Sequence, residues 1–138
     1  MRIVLGPGDD GLASLSRQVD AFADRRQLRP DVRRDLHLVL DEVINNIVRH
    51  AHPRHPEVVV HLTMVDGALQ IRIVDDGEAF DPGSRPDPDT TLGLEERPVG
   101  GLGIFLVRQL MTEVRYRRLR GRNHLTLRRS LAPSGASV

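Results

Sequence analysis

Glu42 and Asn46 stand four residues apart in LDEVINNIVRHAH (40–52), where Leu40, Val43, Ile44, Ile47 and Val48 keep the apolar spacing of a packed helix. At about 100° per residue, Leu36, Leu40, Val43 and Ile47 point together toward a core. Glu42 and Asn46 share the flank of that face, and Asn45 points further toward solvent. A carboxylate and an amide oxygen one turn apart can share a hard cation and a water. Mg²⁺ suits such a pair because it prefers oxygen ligands and keeps several waters. The blander reading is a solvated flank, since polar i,i+4 pairs are common on helices.

Two further stretches carry chemistry. In IVDDGEAFDP (73–82) an apolar strand runs into Asp-Asp-Gly, which sets Asp75 at a strand end and frees the backbone at Gly77. A carboxylate there can accept a hydrogen bond from an exocyclic amine, and glycine lets a flat ring approach closely. Read alone, the same residues also make a simple Asp-Gly turn. In VGGLGIFLV (99–107), glycines 100, 101 and 103 precede an apolar helical run. Free N–H groups at such a helix start form an anion site. The Rossmann fingerprint is absent, because the strand, the third glycine and the following βαβ unit are missing.

These residues need elements to position them. RIVL (2–5) predicts a short strand, and GPGDDG a turn whose Asp residues cap the helix after it. Leu12, Leu15, Val19, Phe22 and Ala23 predict that this helix is amphipathic and runs to about Gln27. Pro30 and Asp31 open a second helix, which runs to about His52 and stops at Pro53. EVVVHLTMV and ALQIRIVD alternate and meet at Asp66-Gly67, a strong hairpin signal. Residues 77–100 read as a long irregular loop, 101–111 as a helix, and EVRYRRL with HLTLRRSL as a last hairpin about an Arg120–Asn123 turn. The expected fold is α+β: a two-layer sandwich of mostly antiparallel sheet with helices on one face. One domain over 1–130 and a flexible tail over 131–138 complete the expectation.

Composition narrows the chemistry. At 138 residues the chain can bury a single core. Cysteine is absent, which excludes disulfides and thiolate metal sites. All 20 basic residues are arginine, which excludes lysine Schiff bases and the P-loop lysine. No apolar run reaches bilayer length and no signal-peptide core opens the chain, so the expected compartment is the cytoplasm, with no membrane partner. His50, His52 and His55 cluster, but their spacing crosses a proline-terminated helix end and fits no standard zinc pattern. The arginines from 115 to 129 alternate with apolar residues like a strand's solvated face, and aromatics are only 3% of the chain. Direct nucleic-acid binding is not expected.

In order and spacing, the three stretches resemble the GHKL ATPase superfamily over roughly residues 8 to 130. DEVINNIVRHA is similar to its N box, VDDGEAFDP to its first glycine box and GGLGIFLV to its second. FDP and RPVGGLGIFLVRQLMTEVRY most resemble bacterial anti-sigma factor serine/threonine kinases. The resemblance implies a GHKL-type ATP-binding fold with Glu42 as general base and Asn46 as Mg²⁺ ligand. It implies that Asp75 binds the adenine amino group beside Gly77, that Gly101 and Gly103 bracket the ATP phosphates, and that residues 83–100 form a lid. The implied partners are an anti-anti-sigma (STAS-type) protein as substrate, an RNA polymerase sigma factor, and a second copy. Leu38, outside the core arc, offers an apolar surface for that homodimer. Two departures stand out. Ala79 replaces the second glycine of the first box, a change expected to stiffen the lid hinge. RGRNHLTL lacks the customary Gly-Thr, leaving Thr126 or Asn123 as substitutes. A kinase acting in trans is favoured by retention of Glu42; the alternative is an ATP-dependent anti-sigma binding switch without significant phosphotransfer.

Overall fold

A computed structural model describes residues 1–5, 11–49, 56–79 and 101–131, without the side chains of 101–104. Alternation and turn chemistry account for the strands. These are β1 (Arg2–Leu5), β2 (Val58–Val65), β3 (Ala68–Asp75), β4 (Glu113–Leu119) and β5 (Arg122–Ser130). They form one sheet in the order β1-β2-β3-β5-β4, every neighbouring pair antiparallel. Both hairpins close on two residues with positive φ, Asp66 (50°) with Gly67 (74°) and Arg120 (53°) with Gly121 (75°). Such turns match the strand twist. The second is tighter than the expected Arg120–Asn123 turn: Leu119 already pairs with Arg122, which moves Asn123 into the strand.

Three helices cover one face of the sheet. Helix α1 spans Gly11–Arg25, α2 Pro30–Arg49 and α3 Gly101–Leu110. Gln27 leaves α1 at φ 53°, with Leu28 N–H bonded to Ala23 O and Gln27 N–H to Asp24 O. That satisfies the last carbonyls of the helix. Pro30 then opens α2, where its missing N–H costs nothing. The core joins Leu15, Val19 and Phe22 of α1, Leu36, Leu40 and Val43 of α2, and the inward strand positions Ile3, Val60, Ile71, Ile73 and Leu127. Ile47 packs half-buried against it. Leu12 and Val48, expected on packed faces, are exposed.

An ion pair fixes how α2 crosses the sheet. Asp35, 3% exposed, lies 2.9 Å from the Arg129 guanidinium, which also donates to Leu110 O at 2.8 Å. Arg29, just before α2, donates to Leu131 O just after β5. The helix therefore starts at the Arg129 end of β5. It delivers the chain to Val58, whose partner is Asp75, itself paired with Asn123 near the start of β5. Asn46 and Asp75 accordingly share the opposite end of the sandwich. Removing one partner of a buried ion pair strands the other charge. Arg129→Leu is therefore expected to lower stability by about 3 kcal/mol in urea unfolding, while Asp35→Leu/Arg129→Leu recovers most of that loss.

Candidate functional site

Asp75 ends β3 on the helix-covered face and is 5% exposed. Its Oδ1 accepts from the Gly77 backbone N–H at 2.9 Å and from Asn123 Nδ2 at 3.0 Å. Among the described residues, Oδ2 accepts no hydrogen bond, so it can serve an incoming donor. Burial pushes the Asp75 carboxyl above its ordinary range; the Asn123 and Gly77 bonds and the Arg118 charge pull it back, and the neighbouring Asp76 pushes it up again.

The β4–β5 hairpin holds this carboxylate and the backbone beyond it. Tyr116 Oη donates to Asn123 Oδ1 at 2.6 Å, which turns the amide so that Nδ2 faces Asp75 and Glu78 O, the latter at 2.7 Å. Arg118 donates to Gly77 O at 2.7 Å. Two side chains thus pin consecutive carbonyls where the chain leaves the sheet. Of the two substitutes weighed for the missing Gly-Thr, Asn123 is the residue against Asp75. Thr126 lies on the other face of β5, in register with Arg72 and Arg115. The roles of Tyr116 and Arg118 went unread. Strand alternation puts both on the inward side with Val114, but only the register Tyr116↔Leu125 and Arg118↔Asn123 brings them to Asp75.

On α2 the wheel placed Asn46 on a flank, yet it is 4% exposed. Its Oδ1 accepts from Arg49 Nη1 at 3.2 Å, and its Nδ2 is buried with no acceptor among the described residues. An amide carbonyl has two lone pairs, so Oδ1 can still accept or ligate once more. Glu42 is half-buried one turn earlier, and Asn45 is exposed as expected. Arg49 is a third residue that sequence reasoning missed; its i,i+3 spacing from Asn46 was the available signal. An incompletely satisfied buried amide is costly. Its chemistry fits a site completed by a ligand: Nδ2 suits an acceptor such as a phosphate oxygen, and the second lone pair of Oδ1 suits a hard cation.

Gly101 and Gly103 lie in the first turn of α3, where backbone N–H groups have no partner within the helix. The expected lid (83–100), the histidines His50, His52 and His55, the capping aspartates and tail residues 132–138 lie outside the described residues. Ala79 is described and exposed. Among the described residues no His, Cys, Asp or Glu group assembles a metal site of three or more, and no helix is long and apolar enough to cross a membrane.

Residues 9–129 match the family of the histidine kinase-like ATPase domain. The serine/threonine-protein kinase BtrW of Bordetella bronchiseptica is 39% identical over 116 residues, spanning 82% of this chain and 80% of that protein. The serine-protein kinase RsbW of Listeria monocytogenes is 29% identical over 116 residues, spanning 79% of this chain and 74% of its own. In fold, the chain is similar to a chain of the SiaB–SiaC complex from Pseudomonas aeruginosa, with TM-score 0.61 at 15% identity over 94% of this chain and 88% of that one. It is also similar to the RsbU and RsbW domains of a Mycobacterium tuberculosis protein, with TM-score 0.64 at 16% identity over 94% of this chain and 32% of that one. Likeness running through nearly the whole chain places the protein in the histidine kinase-like ATPase family, on the side of its serine/threonine-protein kinases.

Proposed function

We propose that this protein is a cytoplasmic anti-sigma factor that uses Mg·ATP to phosphorylate a serine or threonine on an anti-anti-sigma (STAS-type) antagonist, and so regulates transcription. The observation that carries the reading is Asp75: a buried carboxylate with one oxygen held by two donors and the other left for a ligand. Oδ2 would accept the adenine amino group while Gly77 flanks the ring. The free N–H groups around Gly101 and Gly103 would take the phosphates. Asn46 Oδ1 would hold Mg²⁺, which when bound neutralises charge on the phosphates. Glu42 would accept the proton of the substrate hydroxyl as that oxygen bonds to the γ-phosphorus, and the bond from phosphorus to the bridging oxygen of ADP breaks. The new phosphate on the antagonist would disrupt a packed interface by charge and desolvation, leaving the sigma factor sequestered.

The decisive experiment mixes the protein with Mg·ATP and a cognate antagonist and follows phosphate transfer by mass spectrometry. Glu42→Gln is expected to keep ADP and partner affinity and to lose transfer by about 100-fold or more. Asn46→Ala is expected to lose the Mg²⁺-dependent part of nucleotide affinity as well. A wild-type protein that binds sigma with ATP but transfers no phosphate is a binding switch instead.

Asp75→Asn keeps an oxygen for Gly77 and Asn123 but replaces the free acceptor with a donor. ADP affinity by calorimetry should fall at least tenfold, about 1.4 kcal/mol. The raised pKa sets two opposite pH dependences. Nucleotide affinity should decline on acidification at a higher pH than a carboxylate of ordinary value 3.8 would produce. Stability of the nucleotide-free fold runs the other way. The contribution from Asp75 is full below its unfolded value and is lost as pH rises through the folded one. The melting temperature of nucleotide-free Asp75→Asn at neutral pH should therefore not fall below wild type.

The homodimer would use the outer face of α2, where Leu38 is exposed. Sedimentation at tens of micromolar should give a dimer that Leu38→Glu converts to monomer; a wild-type monomer with and without nucleotide rejects the assembly.

A further inference from the structure

The sheet face turned away from the helices carries charge in an order that the nucleotide site does not use. The strand registers place Arg2 of β1, His61 of β2, Arg72 of β3, Thr126 of β5 and Arg115 of β4 side by side in one row. At about 4.8 Å between strands, the row is about 19 Å long. Like charges on adjacent strands destabilise a sheet. The effect is visible at His61, whose pKa is lowered by burial and then by the charges of Arg72, Arg2 and the chain's amino terminus. Its imidazole is therefore neutral at neutral pH.

Among the described residues, carboxylates on this face are too few to balance the arginines. The outward strand positions hold a single carboxylate, Glu113, engaged by Arg115 at 3.5 Å. Arg2, Arg72 and Arg117 have no carboxylate partner among the described residues. A hollow of about 480 Å³ opens between Arg72, Arg115, Arg117, His124 and Thr126. The next row toward the Asp75 end holds Val4, Val59 and Val74 in register; Val4 is 48% exposed and Val74 half-buried, while Val59 between them is buried. A basic row beside an apolar row is the complement of an amphipathic acidic surface.

We propose that this face docks an acidic amphipathic helix of a partner protein, laid across the strands with its carboxylates on the Arg2–Arg72–Arg115 row and its apolar edge on Val4 and Val74. The spacing suits a helix. Side chains two turns apart are separated by about 10.5 Å, and Arg2, Arg72 and Arg115 are each two strands, about 9.6 Å, apart. Carboxylates at i, i+7 and i+14 therefore meet one arginine each. Nucleic acid fits less well, because the outward strand positions carry no Phe, Tyr or Trp for stacking, only the imidazoles of His61 and His124, and the valine row offers nothing to phosphate. A second copy fits worst, since twofold pairing would set arginine row against arginine row. Asp75 and Asn123 face the other side of the sheet, so docking and nucleotide binding are compatible, and the inference is independent of the proposed reaction.

The test uses the full chain and three fluorescent peptides of about 21 residues, long enough for i to i+14 in a helix. One carries Glu at i, i+7 and i+14 with Leu on the adjoining face. A second has Gln for Glu, and a third keeps the Glu count but scatters it around the helix. Anisotropy at physiological salt should show the first binding at least tenfold more tightly than either control. Arg72→Glu/Arg115→Glu should reduce that affinity at least tenfold while thermal unfolding and ADP binding stay at wild-type levels. Conservative Arg72→Lys/Arg115→Lys should retain most of it. The proposal is overturned if the controls bind equally, if charge reversal changes nothing, if a single-stranded 20-mer DNA binds more tightly than the first peptide, or if the reversal instead abolishes self-association.

Discussion

A carboxylate that must stay available beneath a layer of helices constrains everything around Asp75. Burying an unpaired charge is costly, so donors have to be brought to it from elsewhere in the chain. One comes from the next turn of backbone, at Gly77. The other is Asn123, 48 residues later in sequence and directly opposite on β5. That amide is itself aimed by Tyr116 from the sheet edge. The arrangement explains why β5 sits between β3 and β4: a strand in any other place would leave the carboxylate without its second donor.

The same constraint divides labour between the layers. The sheet fixes the Asp75 end through a chain of short hydrogen bonds. The helix layer carries Glu42 and Asn46, and here satisfaction is incomplete: among the described residues, Asn46 Nδ2 has no acceptor and its oxygen has a single donor, Arg49. Each half leaves one group over: the acceptor Asp75 Oδ2 on the sheet side and the donor Asn46 Nδ2 on the helix side. A ligand spanning both would satisfy the two together. The Asp35–Arg129 pair keeps that side in place by anchoring the far end of α2 to the sheet.

Much of this was legible in the sequence. ALQIRIVD alternates without interruption, and β3 occupies those eight residues. Asp66-Gly67 marked its turn because few other dipeptides accept two positive φ values. The i,i+4 spacing of Glu42 and Asn46 put both on one flank of α2. What stayed hidden were pairings across elements. Asp35 reads as one more surface charge on a helix with many, and Arg129 as part of an alternating basic strand; their contact depends on how the layers dock. Tyr116 was recognisably inward, but its hydrogen bond to Asn123 depends on a two-residue turn at Arg120-Gly121 that a looser sequence reading made longer. Burial of Asn46 was missed because periodicity gives a direction on the helix and not the depth of the neighbouring layer.

The two rims of the sheet carry a consequence for how the protein behaves in a crowded solution. An exposed strand edge is a template on which other chains can add, and long flat edges lead to fibres. Here one rim, β1, is four residues long, and the other, β4, reads EVRYRRL, with arginines crowding its length. Neither offers a long uncharged template for strand addition. Arginines on the last strands thus serve solubility whatever else they bind, and any ordered association of the protein has to proceed through faces or helices instead of by lengthening the sheet.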